Sequence, residues 1–171
     1  MTKKLKKNKE IVVAVSGYFN PFHVGHLEMI QRARKLGDKL VVIVNNDKQV
    51  ELKGSVPFMS QADRVKIISA LRDVDDVILA VDDYQLKNGE IPVIKTLAKL
   101  KPDVFANGGD RKNLANVPEY EVCKKYNIKM VDGLGKKIRA SSKMIAKAAK
   151  VKAAKNKKNN SIQINVSKKR K

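Results

Sequence analysis

Tryptophan is absent from this chain, and phenylalanine and tyrosine occur four times each in 171 residues. That scarcity argues against a protein built around stacked bases or sugar rings. Cysteine occurs once, at Cys123, which excludes an internal disulfide framework and leaves too few thiols for a zinc cluster. A reducing compartment, the cytoplasm, is the expected location. Apolar runs are short: Ile11–Val15 and Leu40–Val44 have the length of one strand. A membrane helix needs about 20 apolar residues, so no membrane span is expected. The lysine-rich N-terminus lacks the apolar segment and small-residue cleavage site of a secretory signal. Histidine occurs only twice, three residues apart, at His23 and His26.

Acidic residues are also scarce, and unevenly so. The formal net charge is +20. Residues 1–10 carry five lysines against one acid, and residues 133–171 carry fourteen basic side chains against none. The remaining body holds 18 basic and 16 acidic residues and is nearly neutral. The basicity therefore sits in the ends, which weakens any inference that the folded body binds nucleic acid. The expected organisation is a basic arm over residues 1–10, one domain over 11–155, and a basic, mostly disordered tail over 156–171.

Between residues 11 and 150, short β-branched runs alternate with helical periodicity. Strands are expected at Ile11–Ser16, Leu40–Asn45, Val77–Val81, Asp103–Ala106 and Ile128–Val131. Helices are expected at Val24–Leu36, from an N-cap at Ser60 through Leu71, at Ile91–Leu100 and at Pro118–Tyr126. A further basic helix is expected at Ser141–Lys155. Helices between successive strands imply right-handed crossovers. The fold class is α/β: a doubly wound, Rossmann-like parallel five-stranded sheet with helices on both faces. Ligands belong beyond the carboxyl ends of its strands.

The first strand runs into Gly17-Tyr18-Phe19-Asn20-Pro21-Phe22-His23-Val24-Gly25-His26, and a helix starts within it. A glycine at a helix start lets a phosphate approach the backbone, where N–H groups and the helix dipole favour negative charge. Two histidines in that first turn are able to donate to one anion, more strongly as charge builds in a transition state.

The His23-Val24-Gly25-His26 pattern after a first strand resembles the class I nucleotidyltransferase superfamily, in its cytidylyltransferase-like branch. The resemblance continues through Leu52-Lys53-Gly54, Pro57, Asp63-Arg64 and Ala70-Leu71-Arg72-Asp73-Val74-Asp75. Lys101-Pro102-Asp103-Val104 with Gly108-Gly109-Asp110 is similar to a segment of the adenylyltransferases that activate heptose phosphates. Ala140-Ser141-Ser142-Lys143-Met144-Ile145 stands where the family opens its last helix. The matching segments span about residues 11–150, in the family's order.

The resemblance implies an enzyme that transfers CMP or AMP from CTP or ATP to a phosphomonoester acceptor, releasing pyrophosphate. The acceptor would be a phosphorylated polyol, a sugar or a similar alcohol. A phosphate monoester is largely dianionic at neutral pH, so it needs no general base. Catalysis is then positioning plus electrostatic stabilisation. By resemblance His23, His26 and Lys53 are the catalytic residues, with Lys48 a competitor of Lys53. Gly17, Tyr18, Phe19, Asn20, Gly25, Gly108, Asp110, Ser141 and Ser142 form the nucleotide site. Arg64, Arg111 and Arg139, with Lys48, are candidate acceptor or phosphate contacts. Arg64 alternatively pairs with a neighbour such as Asp63 or Asp73. Mg²⁺ is the implied cofactor, a homodimer the implied assembly, and no protein-held metal site is expected. Departures from the family stand at Asn20, Asn107, Ala140 and Lys143. The competing reading is a nucleic-acid-binding protein on an inactive fold, with the tail making nonspecific phosphate contacts.

Overall fold

The structure, a computed structural model, describes residues 9–108, 117–134, 141 and 144–151. The chain divides into two compact units, residues 1–138 and 139–171. In the second, residue 141 and residues 144–151 are helical.

The first unit holds β1 (Val12–Gly17), α1 (Val24–Arg34), β2 (Lys39–Val44), α2 (Asp47–Leu52) and α3 (Gln61–Ser69). It continues with β3 (Asp76–Leu79), α4 (Ile94–Leu100), β4 (Val104–Ala106), α5 (Tyr120–Lys125) and β5 (Lys129–Val131). All strand pairs are parallel and the order is β3-β2-β1-β4-β5. Alternate residues of the strands feed two apolar layers. Val13, Val15, Val42 and Val44 pack with Met29, Ile30 and Ala33 of α1 and Ile68 of α3. Ala14, Ile43 and Phe105 pack with Leu97 of α4 and Val122 and Cys123 of α5. The five-stranded doubly wound sheet is thus as the sequence implied. Its central strands are apolar on both faces because helices cover both. Among the described residues no helix is long and apolar enough to cross a membrane.

Strand starts are tied by aspartates. The backbone N–H of Ile11 donates to Asp38, that of Val12 to Asp103 and that of Leu40 to Asp75, at 2.7–2.9 Å. Lys9 pairs with Asp103. This hydrogen bond and that from Val12 hold the Asp103 carboxyl below its ordinary range. Asp75 and Asp103 belong to segments that carry the family resemblance. Both stand at the amino end of the sheet, opposite the expected site, where their role is to anchor strands.

Most element boundaries differ from expectation by one or two residues, and the larger differences lie around β3 and α4. The strand at Val77–Val81 runs instead from Asp76 to Leu79. The chain then turns through Asp82, a fully buried carboxylate that accepts from Lys95 N, Thr96 N and Thr96 Oγ1 at 2.5–3.0 Å. These bonds set the first turn of α4 at Ile94 rather than Ile91, and Val93, at the cap position, provides no side-chain bond. Helix α2 was not expected. It is six residues long and closed by a reciprocal capping box between Asn46 and Gln49, a local signature written in the sequence.

Asp82→Ala leaves these α4 donors without their acceptor and should cost about 2 kcal/mol of unfolding free energy. Urea titration checks this; an unchanged midpoint would refute the assignment.

Candidate active site

Strand order reverses between β1 and β4, which places the expected ligand crevice beyond Gly17 and Ala106. The turn after β1 is shaped by Phe19, which takes a left-handed φ of 50° and buries its ring completely. A Cβ on Gly17 would come within 2.8 Å of that ring, so Gly17 is required by Phe19. The Asn20–Pro21 peptide is cis. His23 is the N-cap of α1, with extended backbone (φ −153°, ψ 171°) and no side-chain capping bond. Its carbonyl accepts from His26 N and Leu27 N at 2.9 and 3.2 Å. Gly25 lies in the first turn, which contains no acid. The positive end of this 11-residue helix thus has no acid in its own first turn and no side-chain cap from His23, an arrangement suited to an anion.

The His23 and His26 rings stack, with centroids 3.7 Å apart and planes 10° from parallel. Phe19 meets His26 edge-on at 5.0 Å, and Phe22 lies 5.7 Å away. Burial in this aromatic box, and then the neighbouring His23, push the His26 pKa down to about 3. His26 is thus a neutral imidazole at physiological pH. Its Nδ1 is buried without a hydrogen-bond partner among the described residues.

The segment between α2 and α3 carries the expected lysine. Lys53, the C-cap of α2, places Nζ 4.0 Å from the centroid of the Tyr18 ring. Lys48 instead lies 3.6 Å from Glu51 in an exposed pair. Burial, with a contribution from the Glu119 charge, pushes the Tyr18 hydroxyl up to about 12. Asn20 is buried, and its carboxamide faces the same segment. Oδ1 accepts from Phe58 N and Met59 N at 2.7 and 3.0 Å, and Nδ2 donates to Val56 O at 3.0 Å.

Arg64 differs most from its sequence-based reading. Its side chain is wholly buried. Nη1 donates to Tyr18 O at 2.7 Å and Asn45 O at 2.6 Å, Nε to Met59 O at 3.2 Å, and Nη2 to Asp47 at 2.5 Å. The guanidinium joins the carboxyl ends of β1 and β2 to the loop. The phosphate contact expected of Arg64 does not match this geometry, and its ionic partner is Asp47. Asp63 instead accepts from Ser60 Oγ at 2.8 Å, while its N–H donates back to that hydroxyl at 3.1 Å.

Gly108 follows β4, and a Cβ there would meet Met29 Sδ at 2.6 Å; close approach of α1 explains this glycine. Ser141 is a half-buried helical residue of the second unit. Asp110, Arg111, Arg139 and Ser142 lie outside the described residues. Sequence reasoning missed Asp47 as the Arg64 partner. It named Asn107 only as a departure from the family pattern and missed Asp132; Asn107 Nδ2 and both Asp132 carboxylate oxygens are buried without hydrogen-bond partners among the described residues. Both residues directly follow strands, β4 and β5, and that position was the available signal.

A parallel doubly wound sheet with a helix start and paired histidines beyond its switch point defines an α/β protein with a candidate anion site where such folds bind ligands. A family model described as cytidylyltransferase-like matches residues 14–162, and this chain belongs to that family. It is 41% identical over 105 residues to FAD synthase of Pyrococcus abyssi, covering 61% of this chain and 66% of that protein. It is 36% identical over 124 residues to FAD synthase of Thermococcus sibiricus, covering 71% and 78%. Against Bifunctional protein HldE of Streptomyces coelicolor it is 34% identical over 153 residues, 85% of this chain and 30% of that protein. The chain thus spans just under two thirds of the Pyrococcus relative and under a third of HldE. A lipopolysaccharide core biosynthesis protein from Thermoplasma volcanium superposes with a TM-score of 0.55 at 32% identity, covering 72% of this chain and 96% of that one.

The His26 environment has a measurable consequence. The unfolded imidazole titrates near 6.5, whereas the folded one stays neutral to about 3. Between those values the unfolded state binds the extra proton, so stability is lost as pH falls through that window and is unaffected above it. His26→Gln should flatten this loss. Denaturant midpoints at about pH 7 and about pH 4.5 test it, and equal acid sensitivity of the two proteins would refute it.

Proposed function

We propose that this chain transfers a nucleotidyl group from a nucleoside triphosphate to a phosphomonoester acceptor, with release of pyrophosphate. The observation that carries the reading is the half-buried His26 ring stacked on His23 at the start of α1, a helix start with no side-chain cap and no acid in its own first turn. An acceptor phosphate oxygen attacks the α-phosphorus, the bond to the β-phosphate oxygen breaks, and pyrophosphate departs with that electron pair. No covalent enzyme intermediate is needed. An imidazole N–H of His26 donates to the α-phosphate oxygens as their charge grows, and a low-dielectric surrounding strengthens that bond. His23 and the first N–H groups of α1 receive the phosphate chain, and Lys53 approaches from the loop after α2. The triphosphate charge favours a proton on His26, opposing the burial that keeps it neutral in the free protein.

ATP is the favoured donor. Relatives named FAD synthase make a dinucleotide that contains AMP, and this supports adenylyl over cytidylyl transfer. Candidate acceptors are FMN, sugar phosphates and glycerol 3-phosphate. Mg²⁺ prefers oxygen ligands and retains water, a poor match to two imidazoles. Among the described residues no group of three or more His, Cys, Asp or Glu is disposed to hold a metal. The ion would therefore be held chiefly by the triphosphate, where it neutralises phosphate charge.

Pyrophosphate release is to be measured with Mg²⁺ and ATP or CTP against these acceptors. Release that requires one triphosphate and one acceptor is expected; silence across the panel would refute the reading. His26→Ala should lower kcat by several hundred-fold, the effect of removing one transition-state donor worth about 3–4 kcal/mol. Triphosphate affinity by calorimetry should change far less. Near-normal turnover would refute the role of His26.

A further inference from the structure

Phe19 turns its ring into the core, and the residues on either side of it both reach the segment 53–59. Two of that segment's apolar side chains face solvent: Val56 is 79% exposed and Phe58 64%. Its ends are secured elsewhere. Gly54 N and Ser55 N bond back to Glu51 O and Val50 O at 2.8 and 3.2 Å, continuing the end of α2. Asp47 and Gln61 exchange side chain to backbone bonds at 3.0 and 3.2 Å, joining the starts of α2 and α3. Between these points the described side-chain bonds to the loop backbone come from Asn20, to Val56, Phe58 and Met59, and from Arg64, to Met59. The lysine at the head of the loop lies over the Tyr18 ring. A cation over an aromatic face is attracted to the ring quadrupole.

We propose that Tyr18 and Asn20 are positioning residues that together hold the 53–59 loop against the histidine turn and so set where the Lys53 ammonium stands. Tyr18 supplies a face on which the ammonium rests yet from which it can pivot to a phosphate. Asn20 supplies what a carboxylate cannot. Its amide oxygen accepts from two backbone N–H groups while its nitrogen donates to a carbonyl. Aspartate at this position keeps both acceptors, loses the donor, and sets a negative charge against Val56 O. The departure at Asn20 noted in the sequence thereby acquires a physical reason.

The inference rests on the proposed reaction for its kinetic consequence and on backbone geometry for its structural one, so both are measured, on the full chain. Amide hydrogen exchange reads the clamp without any activity. Asn20→Ala should speed exchange at Phe58 and Met59 about tenfold or more, whereas Asn20→Asp should keep those two amides protected. Pyrophosphate release reads the placement of Lys53. Asn20→Asp should lower kcat about tenfold. Tyr18→Leu should lower it about fivefold in the parent and not at all in a Lys53→Met background, because the two residues act as one unit. Tyr18→Phe, which retains the ring face, should recover most of what Tyr18→Leu loses. Unchanged exchange at Phe58 and Met59 in Asn20→Ala, wild-type kcat in Asn20→Asp, or the same Tyr18→Leu loss with and without Lys53 would each overturn the proposal. Should Asn20→Ala fail to fold, the near-isosteric Asn20→Asp carries the kinetic arm. A wild-type protein that releases no pyrophosphate overturns the functional reading instead, and the exchange comparison still decides the clamp.

Discussion

A single buried guanidinium holds the working end of this sheet together. Arg64 projects from α3 and donates to the carbonyls of Tyr18, Asn45 and Met59 and to the Asp47 carboxylate. These groups come from the ends of β1 and β2, from the loop before α3, and from the start of α2. Carbonyls at strand ends that leave the ladder need donors, and a buried carbonyl without one costs free energy comparable to a lost hydrogen bond. Arginine's planar fork satisfies three of them at once and retains an anion partner for its charge. The same requirement explains its burial. A guanidinium free to reach a phosphate would leave those carbonyls without this donor.

Everything at the candidate site is built on that frame. With the Tyr18 carbonyl fixed, Phe19 folds inward beneath Gly17, and its ring then walls the histidine pair. Burial beside these rings, and then the neighbouring His23, push the His26 pKa down to about 3. Packing and electrostatics are here the same event: the apolar box that contributes to the core also prepares an uncharged imidazole beside the start of a helix. The helix adds the field of its aligned peptides, and its own first turn carries no acid to oppose that field.

The two ends of the sheet use aspartate differently. At the amino end, Asp38, Asp75 and Asp103 accept from the first N–H groups of β1 and β2 and serve as anchors. Beyond the carboxyl ends, Asp82 caps α4, Asp47 pairs with Arg64, and Asp132 keeps both oxygens unpartnered among the described residues. A family-like segment therefore does not mark its residues as part of a site: Asp75 and Asp103 belong to such segments and stand at the opposite edge from the histidines.

Much of this architecture was legible in the sequence because it is encoded over a few neighbouring residues. Apolar runs such as Ile11–Val15 and Leu40–Val44 read as strands, and a glycine and two histidines after the first strand read as an anion-binding turn. The capping box of α2 was equally local, but a six-residue helix has too few apolar positions to show a period. What the tertiary structure alone decided was the partner of each charged or polar side chain. Arg64 was placed against Asp63 or Asp73, its neighbours on the chain, yet it bonds Asp47 and Tyr18, 17 and 46 residues away. Lys48 and Lys53 were not separable from spacing; the fold brings one to an exposed glutamate and the other to the Tyr18 ring. Periodicity and capping depend on backbone geometry within a turn or two. The partner of a polar group, and the charge state of His26, depend on which distant groups share its burial, and only the closed sheet assembles those.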